Sequence, residues 1–228
     1  IKILCRNKYF ILITLAFAVI YTSLGLTGGS RIYYAKYVLG DEMLNSTMTM
    51  FNYIPTILTI MLIPVFTKRF GKIKALFVGF LFYAAGLVLE IAGPVNLPMI
   101  YTGLVLQGIG HAALYSCLFA IVGDVVDYSE WKDGVREEGI TYSVTSFGQK
   151  IGTGLGTAAL GWILAAGHYD GTAAVQSASA IFAIKGLFLY LPLVITVIVL
   201  IIWYLFMGID KIYPTVRKEL DERREKAE

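Results

Sequence analysis

A lysine in the middle of an apolar run is the residue of this sequence best placed to do chemistry. Lys150 stands in SVTSFGQKIGTGLGTAALGWIL, about ten residues from the polar start of that run and so roughly 15 Å deep along a helix. An ammonium near a bilayer midplane costs from about 2.5 to more than 10 kcal/mol, so it persists only against a protein interior or a water-filled path. Ser143, Ser146, Lys150, Thr153 and Thr157 recur at steps of three and four, with Gln149 beside them, and so share one helical face. Gln107, His111 and Tyr115 repeat the pattern, as do Thr49, Asn52, Thr56 and Thr59. Together these faces offer donors, acceptors, an aromatic plane and one cation, which suits them to holding a polar solute and a charge. The plainer reading stays open: hydroxyls and amides also serve as interhelical bonds worth about 1 kcal/mol or less, and Lys150 could be half of a structural ion pair.

Carboxylates form a second group. GDVVDYSEWKDGVREEG carries Asp124, Asp127, Glu130, Asp133, Glu137 and Glu138 against Lys132 and Arg136. Asp124 and Asp127 stand at the end of an apolar run, three apart and so on one helical face. Asp124, Asp127, Arg136 and Glu137 are therefore candidates for a cytoplasmic gate, in which carboxylates pair with basic residues of another loop; a solvated loop is the alternative. No HExxH, no GxSxG and no paired intramembrane aspartates occur, so the sequence does not read as an enzyme, and no metal site is expected.

The elements that must position these residues follow from composition. Of 228 residues, 57% are hydrophobic and 15% charged, and the mean hydropathy is +0.70. Six apolar blocks, at about 9 to 29, 46 to 66, 73 to 93, 99 to 122, 141 to 166 and 184 to 208, each approach the roughly 20 residues that cross about 30 Å of hydrocarbon. The expectation is an all-α integral membrane protein: a six-helix bundle over residues 1–208 and a cytoplasmic tail over 209–228. The first block is too long for a signal peptide and lacks a small-residue cleavage pattern.

Most of the 19 basic residues fall in alternate segments: the N-terminal stub with Lys2, Arg6 and Lys8, TKRFGKIK, the loop at 123 to 140, and the tail. The opposite side has Arg31 and Lys36 in the first long loop and Lys185. By the positive-inside rule both termini are cytoplasmic. Sorting by loop also gives no single basic face for nucleic acid. Cys5 and Cys117 imply no disulfide framework and read as structural.

The blocks at 73 to 93 and 184 to 208 are almost purely apolar, with Glu90 at an end, and suit a scaffold or lipid-facing role. The other four point polar faces away from lipid. Gly152 and Gly156 make a GxxxG spacing for close backbone approach. Pro55, Pro64 and Pro192 are expected to kink their helices. The tail, ending KELDERREKAE, shows no apolar stripe and reads as a solvated helix or disordered end.

The stretch GDVVDYSEWKDGVREEGITYSVTSFGQKIGTGLG resembles the connection between the tenth and eleventh helices, and the start of the eleventh, of the glycoside-pentoside-hexuronide:cation symporters, a branch of the major facilitator superfamily. The matching features are D-x-x-D-Y, an aromatic before Lys, G-x-R-x-E, an aromatic plus Ser, and a lysine followed by small residues. TKRFGKIKA also resembles the basic loop between that family's eighth and ninth helices. The resemblance implies six helices equivalent to helices seven to twelve, one half of the superfamily fold, and symport of a sugar with Na⁺ or H⁺ by alternating access across the cytoplasmic (inner) membrane, with no cofactor. It implies that Lys150 links sugar to cation. Tyr115 takes the place of a tryptophan that stacks on the sugar in the melibiose-type members, Ser146 that of a sugar-binding threonine, and Gln149 lies at the sugar's edge. His111, Gln107 and Asn52 complete the expected substrate face. The family's cation-holding carboxylates belong to its N-terminal half, and no acidic residue is expected deep in these six spans, so Lys150 lacks a partner here and the missing six-helix half is an implied partner. A truncated product or gene fragment is the simplest account of a lone half. A non-transporting membrane receptor or regulator that kept the sugar site is the alternative function.

Overall fold

A computed structural model describes residues 7–226; Lys2, Cys5 and Arg6 lie outside the described residues. Among those residues the regular structure is all helical: α1 Lys8–Tyr37, α2 Leu44–Ile60, α3 Ile63–Phe70, α4 Lys72–Ala92, α5 Leu97–Asp133, α6 Glu138–Ala166, α7 Ala178–Lys185, a π-helical turn Gly186–Tyr190, α8 Leu191–Phe206 and α9 Gly208–Glu225. Helix starts are set by local side chains. Asn7 accepts from the Tyr9 amide, Asn96 from Met99 and Ser177 from Ala180, each satisfying an amide that the first turn leaves without a partner. Gly134, in the left-handed region at φ 69°, closes α5.

By length and composition, α1, α4, α5 and the α7–α8 unit can each cross a membrane, and α2 with α3 makes a fifth candidate bent by 55°. The bend lies at Met61 and Leu62, just before Pro64, whereas α2 continues as helix through Pro55. Pro192 follows the π-helical turn, where the chain re-forms its bonds around the missing donor. At 29 residues α6 is long enough, but its hydroxyls, glycines and Lys150 keep it out of that set.

Packing is pairwise. α1 lies along α6, α4 along α5, α2 along α5, and α8 against both α4 and α1. The α1–α6 seam explains the glycine spacing. Gly148, Gly152 and Gly156 are buried, and a Cβ on Gly152 or Gly156 would run into the carbonyl oxygens of Ala18 or Thr22 on α1. Backbone contact of this kind supplies the attraction that lipid, being as apolar as leucine, does not. Near the start of α1 an aromatic core forms, with Tyr9 edge-on to Tyr128 at 4.9 Å and 5.2 Å from Phe206. Cys117 is a buried free thiol within that core.

Three expectations are corrected. The charged loop at 123 to 140 is mostly helix, because α5 runs on to Asp133 and its carboxylates ride on that extension. The tail does carry an apolar stripe: Ile209, Val216 and Leu220 bury one face of α9 against the core, at spacings that share a helical side. Arg31, expected in an outer loop, belongs to α1.

Candidate functional site

α6 divides into three faces. The glycine seam turns to α1, Phe147, Ile151 and Leu155 form an exposed apolar stripe, and Lys150, Thr153 and Thr157 form an exposed polar stripe roughly opposite the seam. Thr153 and Thr157 return their hydroxyls to the carbonyls of Gln149 and Thr153, both at 3.0 Å, so they keep acceptor capacity outward. Ser146 and Gln149 are half-buried at the edge of the polar stripe. Lys150 makes no ion pair among the described residues.

Tyr115 on α5 is 46% exposed and Tyr53 on α2 is 49% exposed, so each presents a phenol on the surface of the bundle. Such rings offer an apolar face to a sugar ring and a hydroxyl to its edge.

The other expected substrate residues turn inward. Gln107 is buried and donates to Glu90 Oε1 at 2.7 Å. Asn52 is buried, donating to the Leu104 carbonyl at 3.2 Å and lying 3.2 Å from His111 Nδ1 through its Oδ1. Thr56 bonds the Gly108 carbonyl at 3.0 Å. His111 stacks obliquely between Tyr83 and Tyr115, with ring centroids 5.1 and 5.8 Å away. Gln107, His111 and Asn52 thus join α4, α5 and α2, as interhelical bonds do, and only Tyr115 of their stripe reaches the open face. A cavity of about 20 Å³, room for one water, lies between α1, α4, α5 and α8, lined by Ser23, Tyr83, His111 and Thr196 among others.

Glu90 lies at a helix end, as its place in the apolar run suggests, and the structure adds that it is enclosed. It stands in the last turn of α4 but is fully buried between α4 and α5. Arg31 also works inside the bundle, its Nη1 donating to Thr49 at 3.2 Å and its charge acting on Glu90, Tyr83, His111 and Tyr115. One signal could have found Glu90: Tyr83, Gly86 and Glu90 make a stripe at steps of three and four, facing Gly103, Gln107 and Gly110 on α5.

The gate candidates form a network at the far end of α5. Lys72 donates to Asp124 at 2.6 Å, with Asp124 almost wholly enclosed. Asp127 accepts from Tyr213 of α9 at 2.9 Å and from Arg136 at 3.0 Å. Arg136 also reaches Glu130 at 2.7 Å and Glu138 at 3.1 Å. Bonds first to Glu130 and then to Asp127 hold the Arg136 guanidinium above its usual range, so it stays charged. Glu137 gives its backbone carbonyl to Thr141, while Glu130 and Glu138 pair with Arg136. The tail supplies further bonds, from Trp131 to Glu219 at 2.7 Å and from Arg224 to Glu130 at 3.0 Å.

Residues 1–211 match the family described as MFS/sugar transport protein. The chain therefore belongs to that family, in its glycoside-pentoside-hexuronide:cation symporter group. It is 31% identical to the isoprimeverose transporter of Lactiplantibacillus pentosus, over 98% of this chain and 46% of that protein. It is 26% identical to the glucuronide carrier protein homolog of Escherichia coli K12, over 98% of this chain and 49% of the relative. A putative glycoside/cation symporter of the same organism, YagG, is 25% identical over 86% of this chain and 43% of its own length. The chain spans about half the length of the curated relatives it matches. It is a multi-pass membrane protein of a transporter family, not an enzyme.

Proposed function

We propose that this chain is the six-span C-terminal half, helices seven to twelve, of a carrier that moves a glycoside, pentoside or hexuronide across the inner membrane together with Na⁺ or H⁺, both termini being cytoplasmic. The sugar binds near the midplane, and rocking of this bundle against a second six-helix half alternates access. The observation that carries the reading is Lys150: a cation on an outward polar stripe with no ion-pair partner among the described residues, in a bundle whose other polar spans close on one another. Its natural partners are carboxylates of the second half, exchanged when sugar and cation occupy the site. Tyr115 offers the ring face. Ser146 and Gln149 offer hydroxyl and amide. Asn52, Gln107 and His111 support that face from behind. Asp124, Asp127 and Arg136 brace the cytoplasmic end, where the gate closes against the second half.

The test is sugar-triggered ion movement in de-energised cells making the complete carrier, over galactosides, glucuronides and pentosides. Ion entry evoked by one sugar class is the expected result. Silence across the panel, with the protein present in the membrane, contradicts it.

A further inference from the structure

Glu90 is the one carboxylate among the described residues with no exposed surface, and its bonding is lopsided. Oε1 accepts from Gln107, while Oε2 is enclosed with no hydrogen-bond partner. The packing holds it there: Gly103 of α5 leaves the space that the Glu90 side chain fills, a Cβ at that position falling 2.6 Å from Glu90 Cγ. Arg31 shows the complementary defect, with its Nε buried and unbonded although its charge acts on Glu90. The two do not come within the 4 Å of an ion pair.

An ionised carboxylate with a single neutral donor is poorly held in an apolar interior. The last turn of α4 makes this worse, since free carbonyls and the negative end of the helix dipole repel an anion there. The surrounding titratable groups do not relieve it. α1 presents Arg31 and Tyr34 and α4 itself Tyr83, with His111 of α5 next to Tyr83 and Tyr190 of the π-helical turn next to Tyr34, and among the described residues Arg31 is the one permanent cation acting on Glu90. α2 contributes only the neutral Thr49 and Asn52.

We propose that Glu90 is a proton-binding site, occupied in this conformation, that gives up its proton when α1 and α4 shift to bring the Arg31 guanidinium onto Oε2. The step balances: the acid's O–H bond breaks, the proton leaves to water, and the carboxylate formed gains the charged partner it lacked. Arg31 remains protonated throughout and acts as a positioning residue. This deepens the carrier reading, since it adds a proton site in this half to the cation-holding carboxylates of the second. The protonation itself does not depend on transport.

Infrared spectroscopy of the complete carrier in lipid, titrated with acid and base, reads the site directly. Wild type is expected to show the carbonyl stretch of an enclosed, protonated carboxyl at neutral pH, absent from Glu90→Gln, which is isosteric and keeps a partner for Gln107. Arg31→Gln is expected to move the loss of that band at least about one pH unit upward, a tenfold weaker acid, because an opposite charge favours the ionised form. A spectrum with no band that Glu90→Gln removes, at any pH where the protein stays folded, overturns the proposal. So does a titration unmoved by Arg31→Gln. A Glu90 band in a carrier that shows no sugar-triggered ion entry sustains the proton site and sinks the transport reading instead.

Discussion

At the scale of single residues, charge is held by short local bonds. Near the end of α5 every carboxylate of the network has a cation or a phenol, as in Lys72–Asp124 and Arg136–Asp127. Asp210 shows how local these devices are. From α9 it accepts the amides of Ile73 and Lys74 at 3.1 and 3.2 Å, so it caps the start of α4 from another helix. That cap sits beside Gly71 at φ 93°, where the carboxylate leaves no room for a side chain. Asp210→Ala should cost about 1 kcal/mol, the usual price of a lost helix cap, and lower the thermal midpoint of the carrier in detergent; an unchanged midpoint would show that the cap is idle. None of this was legible in the sequence, because Asp210 and Ile73 are far apart in the chain. Lys150 was legible, because a cation in an apolar run is conspicuous without knowing its neighbours.

At the scale of elements, periodicity did most of the work where a helix has one face to bury. The stripes at Lys150 and at Asn52 were readable from steps of three and four, and the GxxxG spacing anticipated the α1–α6 seam. What periodicity could not say is which way a stripe points. Asn52, Thr56 and Gln107 look like lining residues and are instead bonds between neighbouring helices, because small residues such as Gly108 let the backbones close over them. The helical run to Asp133 reads as loop because of its charge, although long charged residues sit readily on the wet side of a helix, and the tail reads as a solvated helix or disordered end because Ile209, Val216 and Leu220 are sparse among charged residues. The seam makes a firm expectation: Gly152→Val forces α1 and α6 apart at the Ala18 carbonyl, costing about 1–3 kcal/mol by overpacking. Thermal unfolding followed by size-exclusion recovery should show it, whereas the same change at Gly154, which faces open space, should be mild.

At the scale of the whole molecule, the bundle is closed on the inside and keeps one polar face open. Its interior polar groups meet across α2, α4 and α5, the carboxylates near the end of α5 are paired, and its exposed α8 surface is apolar, with Val194, Val197, Ile198 and Ile201 outward. The polar face of α6 and the phenols of Tyr115 and Tyr53 are what remain, and they are what a second half and a sugar would cover. In the proposed carrier, Lys150 couples the sugar and cation fluxes rather than holding the fold. The most direct measurement compares Lys150→Ala with wild type in the complete carrier, following sugar exchange across vesicles and uphill accumulation in energised cells. Exchange should persist while accumulation collapses to the equilibrium level; accumulation at the wild-type level would contradict the account.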